Sequence, residues 1–260
     1  MKFIRSLIAA AFLCVCIASP FVLWREFTHE TQAGPIGFRL VSAASFSPTN
    51  LQGLKLWFDA SQITGLSDGD SVTNWFDLSG NSNTATQSTA SKRFTYETGE
   101  INGLPIVRGD GVDDFFDIST PLSLTNYTVF AVVKRAAGSQ GVLFGAEGAG
   151  SSYMGIYTTF GGTLQNENGS FAGNIAADPA TAATWRFTAS SGTASFGTNG
   201  SDSTFANPVT GAFRFGRIGN RAAGEHFSGD LGEVIVYDTA LSVDSRQSVE
   251  RYLRAKWGTP

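Results

Sequence analysis

The chain has only two cysteines in 260 residues, Cys14 and Cys16, and both fall inside an apolar stretch near the N-terminus. The remainder has none, which excludes a disulfide framework for the body of the protein. A body of this length buries enough apolar area to fold without such staples. Histidine is just as sparse: His29 and His226 offer neither a catalytic triad nor a zinc set. Charged residues make up 15% of the chain and its net charge is −4, below the charged content of most globular domains. Lys2, Arg5 and Arg25 precede Gly34 with only Glu26 and Glu30, so the body is more acidic still. It lacks the basic footprint that nucleic acid requires. No segment repeats at a fixed period, which argues against a propeller or solenoid, and no glycine-rich loop precedes a helix.

One long uncharged run is present. It extends from Ser6 to Trp24 behind the basic Lys2 and Arg5, at the border between a secretory signal and a short membrane span. Residues 1–24 are therefore expected to form an apolar leader helix, either a cleaved signal peptide or a retained anchor. Cys16-Ile17-Ala18 offers small residues for a signal peptidase, whereas Pro20 and the continuing apolar run favour retention. Either form predicts export, with the body outside the membrane and membrane contact only through this segment. Neither cysteine follows a lipoprotein signature. Residues 25–50, broken by Gly34-Pro35 and Ser47-Pro48, read as a linker or stalk, and 51–260 as a single domain.

The body is rich in glycine, with 30 in the chain, and its aromatics are mostly its 21 phenylalanines. That composition favours short strands joined by tight turns. Leu54–Asp59 reads as a first strand with Leu54, Leu56 and Phe58 on one face. Strands are also expected over Val72–Phe76, Leu104–Val107, Val142–Phe144, Tyr153–Tyr157, Trp185–Thr188, Ala212–Ile218 and Leu231–Tyr237. Tyr127–Val133 is apolar on both faces and predicts a central strand covered on both sides. Asn199-Gly200 is a type I′ hairpin signal. The one helix is expected over Val243–Trp257, capped by Ser242, with Asp244 in its first turn and Gly258 as its stop. Val249, Tyr252, Leu253 and Trp257 share its apolar face, and Arg246, Arg251 and Arg254 fall mostly on a solvated one. The fold class is all-β: a two-sheet antiparallel jelly-roll sandwich with one C-terminal helix.

Several landmarks resemble the concanavalin A-like lectin/glucanase superfamily, in its laminin-G-like branch of bacterial and phage surface proteins. Trp75-Phe76-Asp77-Leu78-Ser79-Gly80-Asn81 reproduces the pattern Trp-x-Asp-x-Ser-Gly-Asn. Gly103–Val107 with Asp110–Phe115, then Thr198-Asn199-Gly200, Ile218-Gly219 and Phe227–Val234 follow in the family's order. The resemblance implies a jelly roll that binds rather than catalyses. Read from the residues alone, Asp77 accepts backbone N–H groups across the following turn, while Trp57 and Trp75 fill core.

The best chemical cluster is Asp110, Asp113 and Asp114, with Asp117 nearby. Such carboxylates are candidate calcium ligands, as in laminin-G-like relatives, or else caps of a turn opened by Gly111. Arg108-Gly109-Asp110 spells an integrin-type tripeptide and is read as coincidence. The superfamily's laminarinase-type glycosidases carry a Glu-x-Asp-x-x-Glu array, which this sequence lacks. Glu233 alone is suggestive; by alternation it shares a face with Leu231, Ile235 and Tyr237, and no second acid lies two or four residues away. The sequence thus predicts an exported, non-catalytic module that recognises glycans or another extracellular ligand, with no assured cofactor. A structural or protein-interaction adhesion module of an envelope or phage particle is the alternative, and a glycoside hydrolase a more distant one.

Overall fold

The computed structural model describes residues 46–136, 141–147, 152–157, 161–165, 171–175, 181–190, 192–204, 210–221 and 225–260. The expected leader, with Lys2, Arg5, Cys14 and Cys16, and the expected stalk up to Ser45 with His29 lie outside the described residues. No described helix is long and apolar enough to cross a membrane.

Alternating apolar residues build two eight-stranded antiparallel sheets, packed as a sandwich. In spatial order the first sheet runs Ser201–Thr204, Thr193–Thr198, Ala183–Ser190, Tyr127–Arg135, Ser228–Tyr237, Leu104–Asp110 and Thr95–Ile101. Ser228–Tyr237 pairs through its first half with Leu104–Asp110 and through its second with Leu54–Asp59. The second sheet runs Phe171–Ile175, Gly161–Gln165, Tyr153–Tyr157, Gly141–Gly145, Phe213–Ile218, Phe116–Leu124, Ala85–Thr86 and Asn74–Trp75. Leu56, Phe58, Val129, Ala131, Trp185, Phe187, Val234 and Val236 of the first sheet meet Trp75, Phe116, Phe144, Phe213 and Phe215 of the second in the core.

The central strand Tyr127–Arg135 is buried on both faces, as its sequence predicts. Tyr127, Val129, Ala131 and Val133 enter the core between the sheets, while Phe130 and Val132 face the helix. That helix spans Val243–Trp257. The Ser242 side chain accepts from the Ser245 N–H, and Gly258 terminates the helix at φ 65°. Val249, Leu253 and Trp257 are buried on Ile106, Phe130, Val132, Ile235 and Tyr237, on the outer face of the first sheet. Its C-terminus is capped in addition by a hairpin tip, where Asn102 Nδ2 donates to the Lys256 carbonyl at 2.9 Å.

Four expectations change in detail. Only Asn74–Trp75 of the segment Val72–Phe76 is strand, because Val72 N–H bonds the Phe94 carbonyl and Asp77 draws the chain into a turn. Trp57 lies half-buried on the helix side of the sheet, not in the core that Trp75 fills. The register of Ser228–Tyr237 shifts between Leu231 and Glu233, so Leu231 joins the inter-sheet core while Glu233, Ile235 and Tyr237 face the helix. A bulge of one residue breaks the simple alternation. Arg246 does not project freely but pairs with Asp202 at 3.4 Å, beside a second pair, Arg186 with Glu250 at 2.5 Å. Packing also extends upstream of Leu51: Phe46 lies against Tyr252, and the Tyr237 hydroxyl donates to the Pro48 carbonyl.

Candidate functional site

Glu233 is the most constrained polar residue on the helix side of the sheet. It is fully buried, at 0% exposure, and four donors converge on its carboxylate. Oε1 accepts from Trp57 Nε1 at 2.7 Å and from the Tyr252 hydroxyl at 2.8 Å; Oε2 accepts from Lys256 Nζ at 2.8 Å and from Trp257 Nε1 at 2.7 Å. Three of the four donors come from one helix. Tyr252 and Lys256 are neighbours four residues apart on its surface, and Gly232 leaves room for Trp257, whose ring carbons lie 2.8 Å from where a Cβ would stand. Lys256 Nζ also bonds Asp59 Oδ2. Asp59 sits directly opposite Glu233 in the strand pairing, and its Oδ1 accepts from the Ser61 N–H at 2.9 Å and hydroxyl at 2.7 Å.

A carboxylate stripped of water is costly unless paired and hydrogen-bonded, and here every oxygen is occupied. Burial and the neighbouring Asp59 still hold the Glu233 carboxyl above the ordinary carboxylate range, against the pull of Lys256 and Trp257. Burial, with Glu233 next to it, likewise raises the Tyr252 hydroxyl. The second acid that the sequence did not place is therefore Asp59, brought in from across the sheet. The signal was Glu233 itself, a charge on an apolar face that required partners. Glu233 is sealed from solvent, and its oxygens, like those of Asp59, are bonded within the protein, so the arrangement docks the helix on the sheet.

An open depression of about 540 Å³ lies alongside, lined by Trp57, Asp59, Gln62, Leu78, Tyr252 and Lys256. Leu78 reaches it because the loop after Trp75 is tied to the first strand. Asp77 Oδ1 accepts from the Trp57 N–H at 3.0 Å and the Ser79 N–H at 2.9 Å, and Oδ2 from the Ser79 hydroxyl at 2.8 Å and the Asn83 N–H at 2.9 Å. Asn81 Nδ2 donates to the Leu54 and Lys55 carbonyls. The Trp-x-Asp-x-Ser-Gly-Asn pattern is thus a staple between a loop and a strand, and its exposed Phe76 and half-buried Leu78 flank the staple.

Asp110, Asp113 and Asp114 do come together, with carboxylate oxygens within 4.8 Å of one another. The turn account explains their contacts: Asp110 Oδ1 accepts from the Val112 N–H at 2.7 Å, and Asp114 Oδ2 accepts from the Asp110 N–H at 3.1 Å. Burial, reinforced by Asp110 and Asp113, pushes the Asp114 carboxyl up to about 6. Asp117 turns instead to Arg217 at 2.7 Å. Arg108-Gly109-Asp110 lies in a strand rather than on a projecting loop, with Arg108 bonded to Asp230 at 2.6 Å. His226 contacts Asn220 at 2.9 Å.

No protein-family model and no curated protein matches the chain. Solved structures do. Domain 4 of AbnA, a GH43 extracellular arabinanase from Geobacillus stearothermophilus, solved in complex with arabinotriose, matches 76% of this chain and 97% of its own, with 16% identity and a TM-score of 0.55. The chain shares the β-sandwich fold of that domain. A GH54 α-L-arabinofuranosidase soaked with a cyclic sulfate inhibitor matches over 72% of this chain and 51% of its own at 16% identity and a TM-score of 0.50. The Trypanosoma rangeli sialidase in complex with sialic acid matches over 81% of this chain at 13% identity and a TM-score of 0.46. This chain spans about half of that arabinofuranosidase and 34% of that sialidase.

Proposed function

We propose that this protein is an exported, non-catalytic module of the laminin-G-like jelly-roll type that recognises glycans on an extracellular target. The observation that carries the reading is the likeness to a whole domain, 97% of it matched, solved with an arabinooligosaccharide bound. The locked state of Glu233 and Asp59 supports the absence of turnover, since a hydrolase of this kind needs two carboxylates able to reach the glycosidic bond. Asp59 opposite Glu233 is the one feature that favours a glycoside hydrolase as second reading. A glycan array probed with the purified chain should give signals that free sugar competes away, and reducing-end assays on the bound polysaccharides should show no release. Sugar release abolished by Asp59→Asn would replace binding by catalysis; a protein partner retained without any sugar signal would favour the adhesion module. N-terminal sequencing of the mature protein tests export: a start near Ser19 marks a cleaved signal, and an intact Met1 in the membrane fraction an anchor.

A further inference from the structure

The geometry points to the depression beside Trp57 and Tyr252 as a subsite for one neutral sugar residue, an inference that rests on the glycan-binding reading above. Sugars are held by rigid aromatic surface against their C–H face and by planar polar side chains on their hydroxyls. Both kinds of group line this depression. Trp57 and Tyr252 are half-buried, and each donates to the same Glu233 oxygen, at 2.7 and 2.8 Å. Their rings are fixed before any ligand arrives, so binding loses little side-chain entropy. Leu78 adds an apolar wall. Gln62 is exposed at the rim, and its only protein contact among the described bonds is a long one, Nε2 to the Ser61 hydroxyl at 3.4 Å. Its carboxamide is left to offer both a donor and an acceptor to hydroxyl groups.

Charge selects the class of sugar. Asp59 lines the depression and Glu233 is buried behind it, against one ammonium, Lys256, which already bonds both. The lysine has no surplus charge for an acidic ligand, and the negative excess repels uronic and sialic acids. A neutral pentose or hexose residue, at the end or within a chain, is the occupant that fits. The open shape admits a chain that continues beyond the one residue held.

The test is a titration of the full chain with arabinotriose and laminaritriose as neutral probes, and with trigalacturonate and 3′-sialyllactose as acidic ones, read by calorimetry and tryptophan fluorescence. A neutral probe should bind in preference to the acidic pair. Gln62→Ala, at an exposed position, should weaken it about threefold to tenfold, the worth of one or two hydrogen bonds. Leu78→Arg, which fills the depression, should weaken it by roughly tenfold or more. Should Leu78→Arg fold poorly, Gln62→Ala decides alone. Unchanged affinity in both variants, or a loss confined to Asp110→Asn at the acidic turn, removes this subsite while the glycan-binding function stands. Preference for the acidic probes also overturns it. If no probe and no arrayed glycan binds the native chain, the function and the subsite fall together.

Discussion

Replacing Glu233 by Gln isolates what its charge contributes, because the side chain keeps its shape and loses one acceptor. The carboxylate satisfies four donors with two oxygens. A carboxamide has one acceptor oxygen and one NH₂. Its oxygen will turn to Lys256 and Trp257, where the ammonium demands it, and its NH₂ to Trp57 and Tyr252. The Tyr252 hydroxyl can reverse and accept, whereas Trp57 Nε1 can only donate and is left facing a donor. A stranded indole N–H costs about 1–3 kcal/mol, and weakening the ion-assisted bond to Lys256 costs about 1 more. Relief from burying a charge returns part of this, which leaves a net loss of about 1–3 kcal/mol. For a unit of this size that lowers the melting temperature by about 3–10 °C. Circular dichroism melts of native chain and Glu233→Gln at pH 7 measure it directly. A variant as stable as the native protein, or more so, would refute the claim that this carboxylate fastens the helix.

Three further outcomes follow from the same contacts. Trp257→Ala removes a ring at 1% exposure together with a bond to Glu233, and should cost about 3–5 kcal/mol in urea unfolding; a loss under about 1 kcal/mol would mean the helix is not docked through it. Asp77→Ala strands three backbone N–H groups and takes one of the two acceptors of the Ser79 hydroxyl, so a loss of about 2–4 kcal/mol is expected, with hydrogen exchange accelerated at Trp57, Ser79 and Asn83; protection left intact there would contradict the staple. The Asp114 carboxyl, raised to about 6 by burial first and by Asp110 and Asp113 as further causes, holds its proton more tightly folded than unfolded. Its contribution is therefore full below the ordinary aspartate range and declines as pH rises to about 6. Asp114→Asn keeps an acceptor for the Asp110 N–H and should gain on the order of 1–2 kcal/mol over the native chain at pH 7 but little at pH 4; an equal difference at both pH values would show that this group does not titrate as described.

Local patterns made the sheet and the helix legible. The apolar positions of Tyr127–Val133, the Ser242 cap, the Gly258 stop and the Asn199-Gly200 turn each depend on neighbours along the chain. Asn199 and Gly200 adopt the positive φ values, 51° and 83°, that the turn requires, and the unremarked Asn102-Gly103 does the same at 51° and 74°. What stayed hidden depends on pairing between distant segments. Nothing near Asp59 in sequence tells that it will lie across from Glu233, and nothing near Leu231 tells that a bulge will turn it inward, because both depend on which strands pair and in what register.

Glu233 joins these two levels. Read along its strand it is an acid among apolar residues, and such a residue suggests chemistry; read in three dimensions, its environment uses up its chemistry. Each donor that quenches it also fixes something else: Trp257 and Tyr252 fix the helix, Lys256 ties in Asp59, and Trp57 fixes the first strand's ring in the orientation that lines the depression. Glu233 is thus placed as a fastener of the helix, and the surface that it holds rigid is the one proposed above as the sugar subsite.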